Sequence, residues 1–448
     1  MWGCSPGTWT AVLGAELVAE ARPVALDVAM RLNDTQRVRD AVAAVLRQTA
    51  FPESMRWEPY AFAQGEAGLA LLCGYLDACQ PDAGWDGAGH AMLAAAVRGA
   101  ERVGELPPGG FGGLAGLAFA ALSLSRGGTR YRSLLASLED VLVPQTIERA
   151  DELTGQDRGV AVWQFDVISG LSGIGAYLLC RRDQPRVSDA LDAVLRGLVA
   201  LTAPVDGLPR WHTPARLLGN DVMARHHPHG SLNCGLAHGI PGPLALMALA
   251  QIDGVRCPGL ADAIHRVADW LVHNRADDAC GANWASTIPL TAQGTWSGAG
   301  TVEPTRSAWC YGSPGVARAL WLAARALDDP ALATLAVQAM EAVFRRPVPD
   351  RRIDSPTFCH GIAGLLQITL RFAHDTGLSA FAGAAGALTR QLLELYQPDR
   401  LLGFYSLEPA GNRVDQPGLL DGAAGVVMVL LAAATDTEPL WDRLFLLA

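Results

Sequence analysis

Lysine is missing from this 448-residue chain: all 35 of its basic residues are arginine. That excludes lysine Schiff-base chemistry and the lysine of a Walker-type phosphate loop. Positive charge is short as well. With a formal net charge of −10, the chain lacks the excess of cations that would displace counterions from a polyanion, so DNA and RNA are not expected partners. Long apolar runs are also absent. The strongest uncharged one, GVVMVLLAAAT at residues 425–435, falls well short of the ~20 residues a bilayer crossing needs. The opening MWGCSPGTWTAVLGAELVAEARP has no basic leader and is interrupted by Glu16, so it does not read as a signal peptide. These absences predict a soluble cytoplasmic protein that is not integral to a membrane. In a reducing compartment its nine cysteines read as buried apolar residues or metal ligands rather than as a disulfide framework.

What the chain has in abundance is repetition. A Gly-x-x-Gly followed by an apolar, alanine-rich run occurs seven times, starting at Gly65, Gly113, Gly170, Gly239, Gly312, Gly361 and Gly422. The spacing is too irregular for a strict solenoid but suits a helical hairpin plus a variable loop. The helix after each glycine pair is apolar nearly all round, as expected of a helix covered on both sides. Other segments are amphipathic. PALATLAVQAMEAVF aligns Leu332, Leu335, Ala336, Ala339, Met340 and Val343 at helical spacing. DTQRVRDAVAAVL does the same with Val38, Val42 and Val45 behind an Asp34 cap. The pattern predicts an all-α fold, an α/α toroid with seven inner and seven outer helices. It forms a single domain over residues 1–448. Residues 1–50 supply an N-terminal segment with the first outer helix, and residues 65–435 hold the repeats.

Aligned on their first glycine, the repeats place Cys310 and Cys359 two residues before it, and His238 and His360 one residue before it. Equivalent positions of successive repeats converge on one rim of a closed ring, so Cys310, Cys359 and His360 are expected to meet. Two thiolates and an imidazole form a three-ligand zinc site with the fourth position open, as in catalytic zinc. The soft sulfurs favour zinc over magnesium or calcium.

The motifs GLAHGIPGPLAL, RSAWCYGSPG, CHGIAGLLQI and GLLDGAAGVVMVLL resemble those of the lanthionine synthetase C-like family, the cyclases that mature lanthipeptides, from about Gly65 to the end of the chain. The resemblance implies an α/α toroid with one zinc per chain on two Cys and one His. It also implies addition of peptide cysteine thiols to dehydroalanine or dehydrobutyrine, forming thioether rings in a dehydrated precursor peptide. Chemistry at the residues agrees. A free thiol is mostly protonated at neutral pH, whereas one coordinated to zinc is deprotonated outright. Addition creates an enolate, for which His238 is the expected proton donor and Arg306 the cation that stabilises the oxygen or holds the substrate backbone. The resemblance implies the same two residues and adds Asp166, which would orient or charge His238, and Tyr311. An Asp166 that merely caps the helix after Gly170 is the competing reading, and Tyr311 serves packing equally well.

Two other activities fit the same sequence. The site can add glutathione to dehydroamino acids. Alternatively, the chain is a scaffold with a structural zinc that gathers a dehydratase, a peptide transporter and the peptide, a reading motivated by its long loops. Prenyltransferase β subunits, toroids that bind zinc through Asp, Cys and His, are disfavoured by the second Cys. His226, His227 and His229 read as a polar loop, and Cys73, Cys180 and Cys234 as buried small hydrophobes. Trp163 and Trp309 suit either packing or peptide contact. The connections 175–237 and 253–305 are the longest and could receive a leader peptide.

Overall fold

The computed structural model describes residues 9–52, 56–296 and 305–448. The first eight residues of the N-terminal segment and residues 297–304 of the long 253–305 connection lie outside them. Seventeen α-helices are found among the described residues. In chain order they are α1 (Ala15–Asn33), α2 (Thr35–Gln48), α3 (Glu66–Cys79), α4 (Trp85–Val103), α5 (Leu114–Ser123), α6 (Arg132–Gly155), α7 (Val162–Phe165), α8 (Leu171–Cys180) and α9 (Pro185–Thr202). They continue with α10 (Asp221–His226), α11 (Pro241–Ile252), α12 (Leu260–His273), α13 (Ser313–Leu327), α14 (Pro330–Arg345), α15 (Ile362–Thr376), α16 (Ser379–Glu394) and α17 (Ala423–Ala434). None is long and apolar enough to cross a membrane.

Each Gly-x-x-Gly opens an inner helix of an α/α toroid: α3, α5, α8, α11, α13, α15 and α17. The helix after each of the first six, namely α4, α6, α9, α12, α14 and α16, packs outside it. Among the described residues only a single 3-10 turn, Leu440–Arg443, follows the seventh inner helix, and α1 fills the outer slot by packing against α17. The junction is tied by Trp9 Nε1 donating to Ala432 O at 3.0 Å and Val12 N to Ala433 O at 3.2 Å. This corrects the expectation for DTQRVRDAVAAVL. Asp34 does cap α2, accepting from the amides of Gln36 and Arg37, but α2 is an added helix lying against α1 and the strand Arg413–Val414 rather than a member of the outer ring. Amphipathicity alone cannot distinguish a helix laid on the ring from one within it.

Main-chain hydrogen bonds close the inner rim through the residues two places before each first glycine, except that in the third repeat Ile168 accepts while Val167, three places before, donates. Ala63 N donates to Phe111 O, Phe111 N to Ile168 O, Val167 N to Ala237 O, Ala237 N to Cys310 O, Cys310 N to Cys359 O, Cys359 N to Leu420 O, and Leu420 N back to Ala63 O, all at 2.9–3.3 Å. Such close approach needs glycine beside it. Gly312 has φ 92°, and a Cβ there would stand 1.7 Å from Arg306 O.

The axis of the ring is filled. Phe62, Trp309 and Phe358, each three residues before a first glycine, surround Phe445 of the C-terminal segment with ring centroids 6.3, 5.3 and 4.3 Å away. Trp309, fully buried, also donates its indole N–H to Phe445 O at 3.1 Å, so it packs rather than contacts a peptide. The inner helices are not uniformly apolar. Buried Arg371 and Gln367 of α15 hold Asp442, and buried Arg318 of α13 donates to Leu447 O at 2.8 Å.

Candidate active site

The rim belt sets the site. Cys310 and Cys359 are neighbours along it, the amide of one donating to the carbonyl of the other at 3.2 Å. Their thiols meet. The hydrogen bond from Cys310, reinforced by burial, pushes the Cys359 thiol well above its ordinary value, and the nearby Arg306 cation opposes that shift. Ligand atoms of Cys359, His360 and Asp421 all lie within 4.8 Å of one another; Cys310 is not in this group and touches it only on the Cys359 side. Burial lowers the His360 pKa, which favours the neutral imidazole, the form a metal requires.

One repeat away along the rim, His238 Nδ1 lies 2.7 Å from Asp166 Oδ2. Asp166 is itself fixed, because its Oδ1 accepts from the amides of Ser169 and Gly170, both at 2.8 Å. Asp166 therefore contacts both the turn that leads into α8 and the imidazole of His238 from one side chain. Tyr311 bridges the two groups. Its ring centroid is 6.3 Å from that of His238, its hydroxyl accepts from Asn233 Nδ2 at 3.1 Å, and burial pushes its pKa up to about 12. Gly235 makes room for this ring, since a Cβ there would come within 2.5 Å of it. Arg306 is exposed, four residues upstream of Cys310, and its charge reaches Cys359 and His360.

All seven sequence-predicted residues thus lie on or beside one rim. Two further ones escaped the sequence reading. Asn233 is placed by the strand Ser231–Asn233, which pairs antiparallel with Thr287–Pro289, so the two longest connections join beside the site. Asp421 stands one residue before Gly422, the register position of His238 and His360, and extending the alignment to carboxylates finds it. His226, His227 and His229 join no group of metal-ready side chains among the described residues. Cys73 and Cys234 are buried as expected, with thiols pushed up to about 12, whereas Cys180 is only partly covered and donates to Ala176 O at 3.2 Å. Trp163 is 52% exposed, with Arg149 set 5.8 Å from its ring, so it does not serve as core packing.

A closed double ring of helices with thiols, imidazoles and carboxylates gathered at one rim defines an α/α-toroid protein with a candidate metal site. The chain belongs to the lanthionine synthetase C-like family, whose profile it matches over residues 56–446. A similar protein is the nisin biosynthesis protein NisC of Lactococcus lactis subsp. lactis, 26% identical over 328 residues that span 71% of this chain and 72% of the relative. A solved structure of a nisin cyclase superposes with a TM-score of 0.76 at 23% identity, covering 92% of this chain and 98% of that one.

Proposed function

We propose that this chain is a zinc-dependent lanthipeptide cyclase that adds cysteine thiols of a dehydrated precursor peptide to dehydroalanine or dehydrobutyrine in the same peptide, forming thioether rings. The carrying observation is the placement of Cys359 and His360, with Cys310 beside Cys359, on the same rim as the carboxylate-held His238. Two sulfurs and an imidazole suit zinc. Asp421 Oδ1, sealed from solvent and without a hydrogen-bond partner, also fits a neighbouring cation. Cys310, Cys359 and His360 would hold one zinc per chain. Bound there, zinc supplies the positive charge that keeps a substrate thiol deprotonated at neutral pH.

The chain's own residues support the remaining chemistry. As the substrate sulfur bonds to the β-carbon, the π electrons of the dehydro residue move onto its carbonyl. Arg306, a permanent cation beside the cluster, stabilises the resulting enolate oxygen. His238 gives a proton to the α-carbon from Nε2, because Asp166 occupies its other nitrogen. Asn233 holds the Tyr311 hydroxyl, so this ring forms a fixed wall between the two groups. The thiol proton leaves to solvent as the sulfur ionises, and His238 takes a proton from solvent to replace the one it gives to carbon; an S–H and a C=C become C–S and C–H, so the peptide keeps its mass. The reading places the reaction in the cytoplasm, after a dehydratase has made the unsaturated residues and before a transporter exports the peptide.

The test incubates the protein with its dehydrated precursor and then labels free thiols with an alkylating reagent. Loss of alkylatable cysteines without a change in peptide mass is expected. Cysteines that stay free overturn the reading, and a mass gain in the presence of glutathione identifies intermolecular thiol addition instead.

A further inference from the structure

The rim contains two imidazole–carboxylate pairs, and the chemistry described so far uses only one of them. His238 faces Asp166, from the repeat before it, at 2.7 Å. His360 faces Asp421, from the repeat after it, with Nδ1 3.4 Å from Oδ1. Both members of the second pair occupy the residue before the first glycine, in repeats six and seven. The bond from Cys359 N to Leu420 O, at 2.9 Å, locks the adjacent residues together, so the main chain and not a flexible loop sets the pairing. Position −1 of repeats one, two and three holds Gln64, Gly112 and Ser169, and repeats four to seven hold His238, Tyr311, His360 and Asp421. The reactive half of the rim thus ends on Asp421.

We propose that Asp421 is a positioning residue of the metal centre: its carboxylate faces Nδ1 of His360, fixes the ring and its tautomer, and leaves Nε2 for the metal. The inference rests on the metal-site reading above. A histidine that binds a metal through one nitrogen ordinarily presents the other to a carboxylate or carbonyl, which sets ring orientation and raises ligand basicity. Asp421 Oδ1 meets this description, as an acceptor shut off from solvent, with no hydrogen bond of its own, and close to the imidazole. Among the described residues no arginine competes with His360 for Asp421: Arg306 acts on Cys359 and His360 but forms no ion pair with Asp421.

The experiment compares wild type, Asp421→Ala and Asp421→Asn, first stripped of metal and then titrated with zinc against a chromogenic chelator and with cobalt(II) by absorption spectroscopy. Zinc affinity of Asp421→Ala is expected to fall 10- to 100-fold, the usual scale for such partners. Asp421→Asn, which keeps an oxygen at the same place, should recover part of it. Thiolate-to-cobalt and d–d bands should keep their positions in both variants, because the ligand set is unchanged. Unaltered affinity in Asp421→Ala overturns the inference and leaves the metal reading standing. Shifted d–d bands also overturn it, by making Asp421 itself a ligand. A wild type that binds neither zinc nor cobalt overturns both. If metal-free Asp421→Ala fails to fold, Asp421→Asn decides alone: affinity and spectrum both equal to wild type overturn an orienting role that depends on the carboxylate charge.

Discussion

Asp166 lies 2.7 Å from His238 Nδ1 through one carboxylate oxygen, while its other oxygen accepts from the amides of Ser169 and Gly170 in the turn just before α8. The first contact acts on chemistry and the second on structure, so a substitution can separate them. Asp166→Asn retains an acceptor for the two amides but loses the charge that steadies an imidazolium. The fold should be kept, with kcat for ring formation falling while KM changes little. Steady-state kinetics with thermal denaturation alongside test this, and a large drop in melting temperature would make the contact with the turn the dominant one.

His238 lies outside the cluster of Cys359, His360 and Asp421. His238→Ala should therefore leave zinc content at wild-type level while slowing cyclisation by roughly 10² to 10⁴, the scale of general acid–base assistance. Elemental analysis and rate measurement on the same preparation decide it. Loss of metal in this variant would make His238 structural.

The buried network under the C-terminal segment has a sign that can be worked out. Burial alone would raise the Asp375 pKa, but the Arg318 guanidinium, 2.5 Å away, and Arg371 outweigh it and hold the carboxyl below its ordinary value. A depressed folded-state pKa means that the unfolded chain takes up the proton first as pH falls. The pair's contribution is thus fully present above the unfolded value of about 3.9 and is lost as pH drops from there through the folded value. Asp375→Asn leaves Arg318, only 1% exposed, without its counter-charge. A loss of about 3–5 kcal/mol at neutral pH is expected. Denaturant titrations across pH should show wild type and variant converging in acid; a constant difference would contradict the pairing.

The seven glycine pairs made the inner ring and the register of the metal-ready residues legible, because position −2 is where the main-chain belt forms and position −1 carries His238, Tyr311, His360 and Asp421. Which helix completes the outer ring was not legible. α1 partners α17 from the other end of the chain, and α2 has the same one-sided apolar pattern as any outer helix. Arg318, Gln367 and Arg371 interrupt helices that otherwise read as apolar, and their purpose appears only when the C-terminal segment is seen threaded through the axis. Asp421 stood in the same register as His360, yet metal ligands sought among Cys and His pass over a carboxylate that acts on one of them.

Cys310→Ala separates the metal from the fold around it. The substitution removes the thiol that meets Cys359 and leaves Cys359 and His360, too few strong ligands to hold zinc in a catalytic geometry. Its main-chain role is untouched, because the belt bonds from Ala237 N to Cys310 O and from Cys310 N to Cys359 O need no side chain. The two rings are held by apolar burial, at about 25 cal/mol per Å² over a large area, and one small side chain is a minor part of that. Wild-type-like helical circular dichroism, weakened zinc retention and abolished enzymatic cyclisation are expected, any residual rings forming at the uncatalysed rate. A variant that unfolds outright would make the metal a structural staple, and one that keeps zinc and full activity would remove Cys310 from the ligand set.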